Sequence, residues 1–167
     1  MKGLDTNVLI RHLVQDEAAQ ARLAGRFIAS ECTREEPGFI NRIVLCETVW
    51  VLESAYGYSR EDIAGVLERV IRTQQFRIEN VRSAWAALRM YRSGGADFAD
   101  CLLGQTNLEA GCSETVTLDK KAATAGGCVY RSKRLLSSST YAHISGTPPS
   151  PIHGCRVAPR SIMIPYW

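Results

Sequence analysis

The sequence predicts an α/β domain with a mainly parallel sheet, from two patterns that alternate along residues 1–128. Short segments rich in β-branched residues, such as Thr115-Val116-Thr117, indicate strands. Longer segments in which apolar residues recur every three or four positions indicate amphipathic helices. A helix between two strands returns the chain to the same end of the sheet, so the strands can pair in parallel.

The chain begins with a very short predicted strand that ends at Asp5 and passes directly into a helix. Thr6 or Asn7 can cap that helix, because both side chains carry an acceptor for a free backbone N–H. Residues 16–30 are rich in alanine and predict a second helix. A polar loop then leads to a strand near Phe39.

Two further helices are indicated before residue 72. Residues 44–55 place apolar residues at helical intervals, so we expect Glu47 within a mostly buried helix. Ser59 and Asp62 have the spacing of a helix start. An apolar stripe follows them: Ile63, Val66, Leu67, Val70 and Ile71. Asn80 is expected to cap a later helix that ends near residue 92.

The remaining predicted elements lie between residues 76 and 119. A short strand at residues 76–79 precedes that later helix, which Gly94-Gly95 ends. Another helix is expected within residues 96–111. Residues 115–118 then form a predicted strand that stops at Asp119.

The composition changes near residue 129. Five of the six prolines and a run of three serines lie beyond that point, with no helical or strand periodicity. Residues 1–128 contain 15 Lys and Arg and all 17 acidic residues, whereas residues 129–167 contain five basic residues and no acid. The prediction is therefore one domain over residues 1–128 and an irregular, basic C-terminal tail over residues 129–167.

Three features favour a cytoplasmic protein without a membrane segment. No apolar run approaches the ~20 residues that a membrane-spanning helix requires. Asp5 lies where a secretory signal would need an apolar residue. The six cysteines form no C-x-x-C pair and the three histidines lie far apart, so reduced thiols are expected rather than disulfides or a zinc site.

Several acidic residues occupy positions where parallel-sheet domains place their sites. Asp5 and Asp119 directly follow predicted strands, whose carboxyl ends border the crevice of an open parallel sheet. Asp97 and Asp100 are three residues apart at a helix start, so they share a face. Glu47 adds a carboxylate to an otherwise apolar helix, which is costly unless another group pairs with it.

Carboxylates that converge repel one another, by about 4 kcal/mol for a pair ~4 Å apart at an effective dielectric constant of ~20. A divalent cation reverses the sign of that interaction, and ligands that are all oxygen suit Mg²⁺ or Mn²⁺. One ion, or two ions ~3.5–4 Å apart, would activate a water molecule, align it with a phosphate and stabilise the leaving oxygen. These acids therefore indicate hydrolysis of a phosphodiester.

Each of these residues also has a simpler structural interpretation. Asp5 and Asp119 could each cap a helix or turn without binding an ion. Glu47 could be a surface residue if the helical periodicity is misjudged. Asp97 is favoured as a helix cap or as a support of the site rather than as a ligand. Capping is likewise the preferred role of Thr6 and Asn7.

Four segments carry these acids in order: Leu4-Asp5-Thr6-Asn7-Val8-Leu9, Cys46-Glu47-Thr48, Ala96-Asp97-Phe98-Ala99-Asp100 and Thr117-Leu118-Asp119-Lys120-Lys121-Ala122. Taken together they resemble the four acidic motifs of PIN domains, and within that family a VapC-type toxin of a type II toxin–antitoxin system. The resemblance covers residues 1 to about 127. It implies a three-layer α/β/α fold with a mainly parallel central sheet.

The resemblance also implies a site and its partners. The implied ligands of Mg²⁺ or Mn²⁺ are Asp5, Glu47, Asp100 and Asp119. The residues expected to support them are Thr6, Asn7, Asp97 and Thr117. The implied activity is an endoribonuclease acting on RNA, with a small antitoxin that fills the acidic pocket and with a homodimeric assembly.

One alternative is a PIN-like module that binds RNA or a protein without cleaving RNA. An aspartyl-phosphate enzyme is disfavoured, because Asp5-Thr6-Asn7 lacks the second Asp, and no Gly-x-x-x-x-Gly-Lys loop indicates a nucleotide site. The tail departs from the family, whose chains usually end in a short strand soon after the fourth motif. It is interpreted as a dispensable extension, or as a basic arm that contacts RNA.

Overall fold

The structure is a computed structural model, and it describes residues 1–124 and 128–130. Its strands are β1 (Lys2–Gly3), β2 (Gly38–Ile40), β3 (Phe76–Ile78), β4 (Thr115–Thr117) and β5 (Cys128–Tyr130). Its helices are α1 (Thr6–Val14), α2 (Ala18–Glu31), α3 (Arg42–Ser54), α4 (Arg60–Arg72), α5 (Val81–Ser93) and α6 (Phe98–Glu109). A single 3-10 turn, Ala122–Thr124, lies between β4 and β5.

The described strands pair only in parallel. One ladder has the order β1-β2-β3, and a second joins β4 to β5 with Thr115 opposite Cys128. Helices connect the strands of the first ladder, and the fold is of the three-layer α/β/α kind. The predicted fold class is therefore confirmed. The predicted domain boundary falls within β5, and residues 131–167 of the predicted tail lie outside the described residues.

The core lies between the helices and the first ladder, and α4 illustrates how the sequence builds it. Ser59 caps this helix through a capping box with Asp62, as predicted. All five residues of the predicted apolar stripe are buried: Ile63, Val66, Leu67, Val70 and Ile71. Helix α3 faces the same core through Leu45 and Leu52, which are 1% and 0% exposed.

The expected burial of Glu47 is wrong. Glu47 lies on the exposed face of α3, together with Ile43, Trp50 and Ser54. These positions are four, three and four residues apart, so they form one stripe along the helix. Ile43 and Trp50 are 64% and 59% exposed although both are apolar, and for that reason the periodicity gave a mistaken orientation. The carboxylate of Glu47 is therefore open to solvent rather than buried in the core.

Two further sequence predictions concern the compartment. Five cysteines are free thiols in the part of the chain that the structure describes; Cys155 lies outside it. Within the same residues, every helix is too short or too polar to cross a membrane.

Candidate active site

Asp5 lies two residues beyond β1 and begins α1. Its Oδ1 accepts a hydrogen bond from the Val8 backbone N–H at 2.8 Å, so Asp5 is the cap of this helix. The prediction that Thr6 or Asn7 caps the helix is wrong, and β1 ends at Gly3 rather than at Asp5. The reason is that the backbone is still extended at Asp5 and becomes helical at Thr6.

Thr6 has a different role. Its Oγ1 donates a hydrogen bond to Glu47 Oε2, which joins the first turn of α1 to the middle of α3. This contact fixes the direction of a long, exposed carboxylate that would otherwise be mobile. Asn7 is exposed on α1 and lines a shallow apolar groove between α1 and α2.

The start of α6 carries two acids. Asp97 is the cap of this helix, as predicted, and its Oδ1 accepts from the Asp100 backbone N–H at 2.8 Å. Asp100 is half-buried in the first turn. Burial raises the pKa of the Asp100 carboxyl, and the negative charges of Asp97 and Asp119 raise it further. Asp97 and Asp119 therefore both lie close enough to Asp100 to repel its carboxylate.

Asp119 is held in a tight turn after β4. Its backbone N–H donates to Thr117 Oγ1 at 3.0 Å, and its Oδ1 accepts from the Lys121 backbone N–H at 2.7 Å. Thr117 thus orients the backbone that presents Asp119. The side chain of Asp119 is otherwise exposed.

Helix α3 links the two ends of this acidic region, because α1 and α6 both pack against it. Cys46 of α3 lies near acids of both ends, Glu47 on its own helix and Asp97 at the start of α6. Burial raises the pKa of the Cys46 thiol to about 11, and the negative charges of Asp97 and Glu47 also raise it. The structure thus contains an α6–β4 group, Asp97 with Asp100 and Asp119, and an α1–α3 group, Thr6 with Glu47.

The ligand atoms of the four predicted residues are all carboxylate oxygens, which are the atoms that a hard divalent cation prefers. In residues 1–124 and 128–130, no group of three or more Asp, Glu, His and Cys side chains is placed to hold a metal ion. The mutual repulsion that raises the pKa of Asp100 is the interaction that a cation would offset.

Sequence reasoning missed Arg60, which fixes the turn before Asp97. Its guanidinium Nη1 donates to the carbonyl oxygens of Tyr91 and Ala96 at 2.8 and 3.0 Å. It also stacks 4.2 Å from the centre of the Tyr91 ring. Arg60 therefore joins the end of α5 to the start of α6 across the two-glycine break. No local pattern signals it, because it lies about 30 residues from its partners in sequence.

Gly95 explains why that turn lies beside Asp119. It has a φ of +97°, which favours glycine, and a Cβ placed on it would lie 2.3 Å from Thr124 Oγ1. The turn before α6 thus packs directly against the 3-10 turn that follows Asp119. The sequence identifies the glycine pair as a helix break, but not this contact.

Arg60→Ala is expected to lower the free energy of unfolding by about 1–3 kcal/mol, because it removes two charge-assisted hydrogen bonds and a cation–π contact. Urea denaturation followed by circular dichroism measures the change. Arg69→Ala is the matched control, since Arg69 is an exposed arginine of the same helix. Equal stability of the two variants would contradict the role of Arg60.

The model of the PIN domain family matches residues 3–127. The chain belongs to the PIN domain family. A curated relative, named VapC ribonuclease, from Aquifex aeolicus (strain VF5), is 29% identical over 126 residues, which is 75% of this chain and 93% of the relative. No solved structure matches the chain. The resemblance to VapC-type PIN proteins, and its extent along the chain, are thus confirmed.

Proposed function

We propose that this PIN protein is a metal-dependent endoribonuclease of the VapC toxin type, which hydrolyses RNA phosphodiester bonds. The observation that carries the proposal is the group around Asp100: its carboxyl is partly buried, and the charges of Asp97 and of Asp119, which follows β4, are close enough to raise its pKa further. Membership of the PIN family and similarity to a protein named a ribonuclease support the reaction class.

The proposed metal ligands are Asp5, Glu47, Asp100 and Asp119. A bound Mg²⁺ or Mn²⁺ supplies activation of water and neutralisation of phosphate charge. Thr6 directs Glu47 through its hydroxyl, and Thr117 holds the backbone of Asp119.

Asp97 supports the site rather than binding the ion. Its carboxylate is engaged with the Asp100 backbone N–H, so it orients the first turn of α6. Its negative charge also raises the affinity of the region for a cation. Asn7 would occupy the outer rim, where it is exposed beside Asp5.

The purified protein is expected to cleave RNA with Mg²⁺ or Mn²⁺ and to lose cleavage in excess EDTA, because the carboxylates alone cannot activate water at neutral pH. Gel electrophoresis of a labelled structured RNA measures the products. Excess Mg²⁺ added after EDTA should restore the original rate. Cleavage at an undiminished rate in EDTA would contradict the proposal.

A second candidate is a PIN module that binds RNA or a protein without cleavage. The observation that favours it is that the described residues contain no group of three or more acidic, His or Cys side chains placed to hold a metal ion. The EDTA experiment separates the two candidates. A silent module would leave RNA intact at every metal concentration while still retaining it in a binding assay.

The proposed partners are a small antitoxin and a second copy of the chain, with the cytoplasm as the site of action. An apolar groove between α1 and α2 supports the first: it has a volume of about 280 Å³ and is lined by Val8, Leu23 and Phe27, with Leu23 60% exposed. The exposed Ile43 and Trp50 of α3 support the homodimer, because exposed apolar side chains often lie at an interface. They flank Glu47, so that interface would lie beside the acidic site rather than over it.

A further inference from the structure

A groove lies between α5 and α6, away from the residues assigned to the acidic site. Its volume is about 590 Å³. Helix α5 contributes Arg82, Trp85 and Arg89 to its walls, and α6 contributes Gln105, Leu108 and Glu109. We refer to it as the basic groove.

Two arginines give the basic groove its charge. Arg82 and Arg89 are both exposed, and neither forms an ion pair within residues 1–124 and 128–130. They are seven residues apart on one helix, hence on the same face and ~10.5 Å apart along the axis. By contrast, Arg92 of the same helix is paired with Glu68.

Glu109 also lines the groove, so the walls carry two positive charges and one negative charge, and the groove stays basic by one charge. Its Oε1 accepts hydrogen bonds from Asn80 Nδ2 at 2.7 Å and from the hydroxyl of Ser83, which is buried. The carboxylate is therefore engaged with the start of α5. The two guanidinium groups remain available to an anionic ligand.

An aromatic ring lies between the two arginines in sequence. Trp85 is half-buried and lines the groove, and the Arg72 guanidinium lies 5.2 Å from its ring centre. Exposed guanidinium groups that flank an aromatic ring suit a single-stranded nucleic acid, because phosphates pair with the former and bases stack on the latter. An acidic peptide would use the arginines but not the ring.

We propose that the basic groove binds the backbone of single-stranded RNA outside the acidic site. The inference rests on the proposed function, because it assumes that the substrate is RNA. Helix α6 carries both features: Asp100 lies in its first turn, and Gln105 lines the groove five residues later, ~7.5 Å along the axis. Five residues also turn the helix by about 140°, so the two features lie on different faces of α6, and an RNA strand would reach both by passing around the helix. The groove would then raise affinity without taking part in cleavage.

The test measures binding of a 5′-labelled 20-nucleotide single-stranded RNA by fluorescence anisotropy, in EDTA so that the RNA stays intact. The Arg82→Ala/Arg89→Ala variant is expected to bind about tenfold more weakly than the wild type. Its slope of log affinity against log salt should fall by about 1.4, which is two phosphate contacts at ~0.7 each. The Arg82→Glu/Arg89→Glu variant should bind more weakly still.

The matched control is Arg22→Ala/Arg26→Ala, which removes two exposed arginines from α2. Equal affinity and salt slope in the two alanine variants would overturn the inference. Competition by a poly-glutamate peptide as effective as that by unlabelled RNA would also overturn it in favour of an acidic protein ligand. If RNA binds through the groove but is never cleaved with Mg²⁺ or Mn²⁺, the proposed function fails while this inference stands.

Discussion

Asp100→Asn is expected to lower the rate of RNA cleavage by at least ~100-fold while the protein stays folded. The substitution keeps the size of the side chain but removes the charge from the centre of the acidic group. A site that depends on a divalent cation then loses one anionic ligand, and losses of ~10²–10³-fold correspond to about 2.7–4 kcal/mol of transition-state stabilisation.

The Asp100→Asn variant should be at least as stable as the wild type, because the raised pKa of Asp100 shows that its ionised form is unfavourable in the folded protein. Burial and the charges of Asp97 and Asp119 raise this pKa above its usual value, so the folded state disfavours the ionised carboxyl. That penalty is absent at low pH and develops as the pH rises from the usual pKa towards the raised one. At neutral pH the uncharged amide of the asparagine does not have this ionisation penalty. Thermal denaturation should therefore give an unchanged or slightly higher Tm.

The matched control for Asp100→Asn is Asp97→Asn, three residues earlier. Asparagine caps helices about as well as aspartate, so α6 should keep its start. Since Asp97 is assigned a supporting role, the expected loss of cleavage is about tenfold, comparable to the loss of a group that orients a ligand. An equal or larger loss than in Asp100→Asn would move Asp97 into the ligand set.

Phe98→Ala is expected to lower the free energy of unfolding by about 3–5 kcal/mol, the range for a large aromatic removed from a core. Phe98 is 0% exposed and packs edge-to-face on Tyr91, with ring centres 5.9 Å apart. It lies between Asp97 and Asp100 in sequence, so its burial anchors the turn that presents both acids. Urea denaturation measures the stability.

Leu103→Ala is the control for this substitution. Leu103 lies on the same helix but is 51% exposed, so its truncation should change the stability by less than ~1 kcal/mol. Cleavage by Phe98→Ala should decline in step with the fraction unfolded and with the loss of order at the start of α6. A fully stable Phe98→Ala protein would contradict the anchoring role.

Much of the fold could be predicted from the sequence, because it depends on interactions between residues that are near one another in the chain. The capping box of Ser59 and Asp62, the stripe after it and the cap at Asp97 all depend on residues within one or two turns of each other. The same holds for the glycine pair that ends α5, since Gly94 and Gly95 both have positive φ. Such features depend on residues that are close in sequence, so a sequence pattern can predict them.

The site was less predictable because its geometry depends on contacts between distant segments. The orientation of Glu47 depends on which face of α3 meets the core, and apolar residues on the exposed face obscured it. The hydrogen bond between Thr6 and Glu47 spans 41 residues. The contacts of Arg60 and of Gly95 likewise join segments that have no common motif.

The most direct test of the central claim is a crystal structure of the protein grown with Mn²⁺, with the ion located by its anomalous scattering. The account predicts a peak at the acidic region, within ligand distance of Asp100 and of carboxylates from the set Asp5, Glu47 and Asp119. The peak should be lost in Asp100→Asn. An ion bound elsewhere, or no ion in a protein that still cleaves RNA in EDTA, would contradict the account.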